Sequence, residues 1–277
     1  MIEIESAGIT DIGRRRKQNE DSLFYDDAMG LYLVADGMGG HKAGEVASRL
    51  VVETIRDYMD PERTDHPQEN FVDAEEELSE EARRLLAGIQ VSNRVVHQTA
   101  KNNEDYKGMG STISAVYFAE KTVIVANVGD SGIYLIRDGR IEQLSVPHTL
   151  VAEQAQLDPE NAELLWGDFK HVLTRAMGVN ESVKADINEI PFYRGDVIVL
   201  CSDGLTDKAT PEEILQTAKK RRSDKACREL VDLANARGGE DNITAIILRI
   251  KSTANHSGGF MARLIQQVKS KFSLNSN

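Results

Sequence analysis

The sequence predicts an α+β chain, on three observations. Short runs rich in Val, Ile and Tyr recur along its 277 residues, and several are joined by hairpin-type turns such as Asp138-Gly139. Long helical periodicity falls in two blocks, between His41 and Lys101 and between Thr210 and Ala236. Three of the apolar runs end alike, at an aspartate beside a glycine: LYLVA at Asp36-Gly37, TVIVANV at Gly129-Asp130 and DVIVLCS at Asp203-Gly204.

In chain order, residues 3–10 alternate weakly and read as an edge strand. Residues 11–21 (DIGRRRKQNED) form a dense polar turn. Ser22–Tyr25 and Leu31–Asp36 predict a hairpin around Asp26–Gly30. A helix over His41–Met59 places Ala43, Val46, Ala47, Leu50, Val51, Thr54, Ile55 and Tyr58 on one face. Residues 60–81 hold ten acidic residues, one Arg, Pro61 and Pro67. They read as an exposed insert leading into a second helix, which starts by residue 88 and runs to about Lys101. Such a run is a solvated face or a docking surface for a basic partner.

Strands are predicted at Ser111–Ala119, Lys121–Asp130, Gly132–Arg137 and Arg140–Leu144. Residues 145–183 are mixed and polar and read as an irregular surface subdomain. Strands return at Val183–Ile190 and Asp196–Cys201. Thr210-Pro211-Glu212-Glu213 is a capping box with Pro at the first helical position. A further helix covers about 224–236, and Ile243–Ile250 is the last strand. The expected organisation is one domain over 1–250 and a tail over 251–277. The tail has no Asp or Glu and four Lys/Arg, with Phe260, Leu264, Ile265, Val268 and Phe272 on one helical face. It packs on the domain, lies on an anionic surface or binds a partner.

The formal net charge is −12 and the pI about 5.1. That argues against nucleic acid as a partner, since phosphate backbones are bound by a Lys/Arg surplus. The N-terminus lacks the basic and apolar regions of a signal peptide, and no window has the length of a membrane span. Cys201 and Cys227 sit in buried-type patterns and read as free thiols of a reducing compartment. A cytoplasmic monomer is the expectation.

The strand-end aspartates carry the chemistry. A single Asp-Gly is an ordinary turn former. Here three strand exits and one entry, Asp241-Asn242, share the pattern, with Glu20-Asp21 before the second strand and Asp207 after Asp203. If these ends converge, the carboxylates repel, and divalent cations resolve the conflict. An all-oxygen donor set suits Mg²⁺ or Mn²⁺, and the surplus of carboxylates suggests at least two ions. Such a pair activates a water and clamps an oxyanion, so a phosphate ester is the natural substrate. Arg14-Arg15-Arg16-Lys17 supplies cations beside Glu20, and Arg grips phosphate through its planar fork. The glycines at 37–40 lack the Gly-Lys-Ser/Thr ending of a P-loop.

These pieces together resemble the metal-dependent 2C-type Ser/Thr protein phosphatases in their bacterial form. The matching motifs, in the family's order, are GRRRKQNEDS (Gly13–Ser22), VADGMGGHKAG (Val34–Gly44), GST (Gly110–Thr112), NVGDS (Asn127–Ser131), VLTRAMG (Val172–Gly178), SDGL (Ser202–Leu205) and GEDNIT (Gly239–Thr244). The resemblance implies a four-layer α/β/β/α sandwich, two antiparallel sheets face to face with helices outside, and metals at one end. It implies that Asp36 bridges two metals, that Gly37 offers its carbonyl to one, and that Asp203 and Asp241 hold the other. Glu20 and Asp21 fall on an acidic pair that binds metal directly or through water, and Arg16 on the phosphate-binding Arg. Asp130 and Asp207 match a third, weaker site, and 145–183 matches a mobile flap.

The implied reaction is direct hydrolysis of phosphoserine and phosphothreonine in proteins by a metal-activated water, without a phosphoenzyme. The implied partners are phosphoproteins modified by a Ser/Thr kinase. The alternatives are a non-catalytic phosphatase-like regulatory module and a phosphohydrolase dedicated to one phosphoprotein. The chain departs from the family pattern at Met38, where eukaryotic members carry His; at Gly132, where Arg is usual; and at Pro147, where an acid is common. His41 is a nearby candidate for the proton donor.

Overall fold

A computed structural model describes residues 2–39, 43–63, 78–120, 122–158 and 169–252. His41, most of the acidic insert and the tail beyond Ser252 lie outside the described residues. In chain order the elements are β1 (Glu3–Asp11), β2 (Asp21–Asp26), β3 (Leu31–Met38), α1 (Ala43–Met59), α2 (Glu80–Asn102), β4 (Gly110–Ser111), β5 (Ile113–Phe118), β6 (Thr122–Val128), β7 (Gly132–Arg137), β8 (Arg140–Gln143), α3 (Leu150–Leu157), β9 (Asp186–Pro191), β10 (Val197–Cys201), α4 (Asp203–Thr206), α5 (Pro211–Lys220), α6 (Ser223–Ala236) and β11 (Ile243–Ser252).

Two antiparallel sheets result, β1-β11-β10-β7-β8 and β2-β3-β5-β6-β9, with β4 paired to β3. Three apolar layers hold them. Leu31, Leu33 and Ala35 of β3 face α1 and α2. Tyr32 and Val34 face inward and meet Ile198 and Leu200 of β10 and Ile246 and Leu248 of β11. Val199, Cys201, Ala245 and Ile247 face outward under α5 and α6. Strands covered on both faces explain why these segments read as continuous apolar runs. Each fully buried Leu or Ile contributes about 1.5–3 kcal/mol to the sandwich. The four-layer α/β/β/α architecture is thus present.

Local signals hold where side chain and backbone cooperate. Asp138 (φ 50°) and Gly139 (φ 81°) form the β7–β8 hairpin turn with both central residues left-handed. Thr210 Oγ1 accepts from Glu213 N (3.3 Å) and Thr210 N donates to Glu213 Oε2 (3.0 Å), closing the capping box of α5. The face of α1 is wider than its periodicity predicts: Val52 and Met59 are buried, while Thr54 and Tyr58 are half-buried. The reason is that α1 packs against α2 as well as β3. Strand β11 runs two residues past Ile250, with Ser252 opposite Glu3 and Lys251 Nζ 2.7 Å from Glu5 Oε2.

Candidate metal centre

The strand ends converge because they belong to facing sheets. Strand β3 ends at the same edge of the sandwich as β10 and the start of β11, and Gly129–Ser131 crosses there from β6 in one sheet to β7 in the other. Asp36, Asp130, Asp203 and Asp241 consequently line a single cleft of about 450 Å³, with Arg16, Glu20 and His171.

The end of β3 is held firmly. Asp36 N donates to Thr112 Oγ1 (2.9 Å), and Asp36 O accepts from Thr112 N (2.8 Å) and Ser111 Oγ (2.9 Å). Thr112 Oγ1 also meets Ser131 Oγ at 2.8 Å, which ties the loop of Asp130 to Asp36. Gly37 N donates to Glu20 O (3.1 Å). A Cβ at Gly37 would stand 2.1 Å from Gly44 O and 2.6 Å from Glu20 O, so only glycine fits there. Asn242 organises the basic turn: its Oδ1 accepts from Glu20 N, and its Nδ2 donates to Ile12 O and Gln18 O.

Burial and mutual repulsion dominate the electrostatics. Burial, then Asp21, Asp203, Asp130 and Asp241, push Asp36 well above the usual carboxylate range. Burial and Asp203 raise Asp130 to about 7. Burial works to raise Asp203 too, but His171 holds it low. Burial raises Glu20 against the pull of Arg16. Asp21 is raised to about 7 by burial, although Thr244 and Ser202 work the other way.

Every carboxylate singled out in the sequence is near this end, but not all share one role. Asp21 does not line the cleft; it is buried behind it, opposite Asp36 in the β2–β3 register. Its Oδ2 accepts from Ser202 Oγ (2.8 Å) and Thr244 Oγ1 (2.6 Å). Asp207 lies outside the cleft lining as well, with Lys170 Nζ at 2.6 Å. Arg16 Nη2 donates to Asp241 Oδ2 at 2.7 Å.

Sequence reasoning missed His171. Its Nδ1 is 3.4 Å from Asp203 Oδ2 and its Nε2 3.4 Å from Asp207 Oδ2. Asp130, His171 and Asp203 each offer a ligand atom within 4.8 Å of the others'. No local signal marked this histidine, which stands one residue before the VLTRAMG motif.

The departures at Gly132 and Pro147 are accommodated. A Cβ at Gly132 would lie 2.6 Å from the Tyr134 ring, so glycine makes room for that ring. After Pro147, buried His148 accepts at Nδ1 from Gly129 N (3.1 Å), with Nε2 3.1 Å from Asp186 Oδ2. The Asp130 loop thereby stays anchored to β9.

The donor set fits hard divalent cations. It is almost wholly carboxylate oxygen. Among the described residues, the buried Oδ1 of Asp203, which lines the cleft, has no hydrogen-bond partner, a cost a bound cation would offset.

Fold and site together define a metal-dependent hydrolase class built on a β-sandwich. Residues 6–243 match the model of the family described as protein phosphatase 2C. The chain belongs to that family and is a protein serine/threonine phosphatase. The serine/threonine phosphatase stp of Listeria innocua is 38% identical over 248 residues, covering 86% of this chain and 93% of that protein. Protein phosphatase PhpP of Streptococcus pneumoniae is 33% identical, covering 88% and 97%. Among solved structures, the serine/threonine phosphatase PstP/Ppp of Mycobacterium tuberculosis superposes with a TM-score of 0.78 at 29% identity, covering 91% and 100%. The catalytic domain of PstP in complex with two manganese ions gives 0.74 at 30% identity, covering 91% and 100%. Among the described residues no helix is long and apolar enough to cross a membrane.

Proposed function

We propose that this cleft hydrolyses phosphoserine and phosphothreonine in proteins directly, without a phosphoenzyme. The observation that carries the reading is the convergence of Asp36, Asp130, Asp203 and Asp241 on one cleft that also holds Arg16. Asp36 and the Gly37 carbonyl would hold one Mg²⁺ or Mn²⁺, and Asp36, Asp203 and Asp241 a second. Glu20, in the cleft lining, would bind directly or through water, and Asp21 through water from behind the cleft wall. Asp130 and Asp203, with His171, are the residues for a third ion; Asp207 belongs to that site only when Lys170 releases it. Bound there, the cations supply a water of lowered pKa and counter-charge for the phosphoryl oxygens. The two manganese ions of the PstP complex support this metal class.

The chain's own groups do the rest. Arg16 grips the substrate phosphate and neutralises its equatorial oxygens. No cysteine or serine lines the cleft among the described residues; of its two threonines, Thr112 Oγ1 is engaged by Asp36 and Ser131, and Thr174 Oγ1 donates to Glu153 Oε1 (2.7 Å). The side chains thus offer no poised hydroxyl or thiol nucleophile, which favours direct attack by water. Met38 lines the cleft and carries no proton to donate.

The chain acts as a monomer on targets of a Ser/Thr kinase, with residues up to Ser252 as the catalytic domain and the basic tail as an appendage. The test is phosphate release from a phosphothreonine peptide in EDTA, Mg²⁺ and Mn²⁺, beside Asp203→Asn. Metal-dependent release that vanishes in the variant is expected; no release from folded protein in any metal overturns the reading. An acid quench of single turnovers should trap no phosphoprotein. A trapped phosphoprotein would refute direct hydrolysis.

A further inference from the structure

Beside the carboxylates, Arg16 and His171, the cleft lining carries an apolar set, Met38, Leu173, Ala176 and Val179, with polar Thr174 and Asn180 among them. Val179 is half exposed, at 50%. An exposed valine alone needs no explanation. This one is different in its backing and its neighbours.

Its backbone is held on both sides. Met177 N donates to Ser111 O (2.7 Å) and Ser111 N to Met177 O (3.1 Å). Gly178 N donates to Asn93 Oδ1 (2.7 Å), and Gly178 O lies 3.0 Å from His97 Nδ1, which must donate to it. Asn93, fully buried in α2, also donates from Nδ2 to Asn180 O and Glu181 O, both at 3.1 Å. Gly178 has φ +82°, and a Cβ there would stand 2.2 Å from Val96 Cγ1, so the chain passes tightly over α2. A Cβ at Gly110 would lie 2.6 Å from Met38 Cε and 3.1 Å from Val179 Cγ2; these two side chains therefore close over Gly110 together.

We propose that Val179, with Met38 beside it, is a specificity-determining contact that takes an apolar residue adjacent to the phosphorylated serine or threonine of a protein substrate. The inference rests on the phosphatase reading above. A phosphate held at the carboxylate end of the cleft brings its flanking residues along the same wall. The valine offers no hydrogen bond and no charge, so an aliphatic neighbour is the group that gains by covering it. The backbone of residues 177–181 is already ordered by its hydrogen bonds, so little conformational freedom is lost when the substrate docks.

The experiment compares two phosphothreonine peptides of equal length in Mn²⁺, one with leucine on both sides of the phosphothreonine and one with serine. Wild-type kcat/KM is expected to favour the leucine peptide by about tenfold, mainly through KM. Val179→Ser should bring the ratio near one by raising KM for the leucine peptide, and Val179→Ile should keep the preference. Equal kcat/KM for both peptides in the wild type, or an unaltered ratio in Val179→Ser, overturns the proposal. Hydrolysis of p-nitrophenyl phosphate by the wild type separates the two levels. If it proceeds with metal while the peptides show no preference, only the role of Val179 falls. If metal-dependent release is absent from every substrate, the phosphatase reading falls and this proposal with it.

Discussion

Arg16 and Asp241, 225 residues apart in the chain, meet at 2.7 Å in a single hydrogen-bonded ion pair at the cleft. Burial opposes the charge on Arg16, but Asp241, Glu20 and Asp36 hold its pKa above the ordinary value. Both side chains are partly exposed, so the pair contributes little to stability. Its consequence is positional: the guanidinium stays over the carboxylate end of the cleft. Arg16→Ala should chiefly raise KM for a phosphopeptide, by about tenfold or more, with a smaller fall in kcat from the lost counter-charge on the equatorial oxygens. Arg16→Lys should recover only part, since an ammonium lacks the fork. Steady-state kinetics on both variants check this.

Asp36→Asn, Asp203→Asn and Asp241→Asn should each lower kcat/KM by at least about a hundredfold, because each removes a ligand from the proposed cation sites. In EDTA, Asp36→Asn should melt higher than the wild type, since it removes a carboxyl that must be either protonated or buried as a charge facing Asp21, Asp203, Asp130 and Asp241. Thermal melts with and without Mn²⁺ read both effects. Near wild-type turnover at saturating metal would remove that residue from the centre.

Stability in EDTA should fall as pH rises from about 4 to about 8. Asp21 and Asp130 take up protons near 7 when folded and near 4 when unfolded. Between those values the folded state binds more protons, so each rise in pH costs stability. The contribution is complete below the unfolded value and lost through about 7. Glu5, held to about 2 chiefly by Lys251, works in the opposite sense only at the acid end. Denaturant titrations at pH 5 and pH 8 should show the decline in EDTA and its disappearance in saturating Mn²⁺.

Gly37→Ala should destabilise the fold by about 1–3 kcal/mol, because the new methyl meets two backbone oxygens that cannot move apart cheaply. The same displacement disturbs the end of β3, so metal affinity by calorimetry should drop in parallel. An alanine variant of full stability would remove the steric argument.

Cutting the chain after Ser252 should leave catalysis intact. The cut keeps Ser252 opposite Glu3 and the Lys251–Glu5 ion pair. A cut after Ile250 removes both and should melt lower. Activity and melting temperature of the two truncations give the answer.

Local chemistry alone determined much of this protein. Apolar runs ending at Asp36, Asp130 and Asp203, the Asp138-Gly139 turn and the Thr210 capping box are each decided by residues within a few positions of one another. Those signals survive because side-chain period, turn geometry and capping are short-range. Which carboxylate faces the cleft was decided elsewhere. Asp21 and Asp36 are both strand-end acids in sequence, yet one is buried behind the wall with its Oδ2 held by Ser202 and Thr244. That depends on strands more than 180 residues away. The reach of His171 to Asp203 and Asp207, the ion pair of Arg16 with Asp241 and the hold of Asn93 on the backbone around Val179 likewise arise only when the sheets face each other and α2 packs against residues 178–181. Periodicity carries no information about such pairings, because the packing of distant segments sets them.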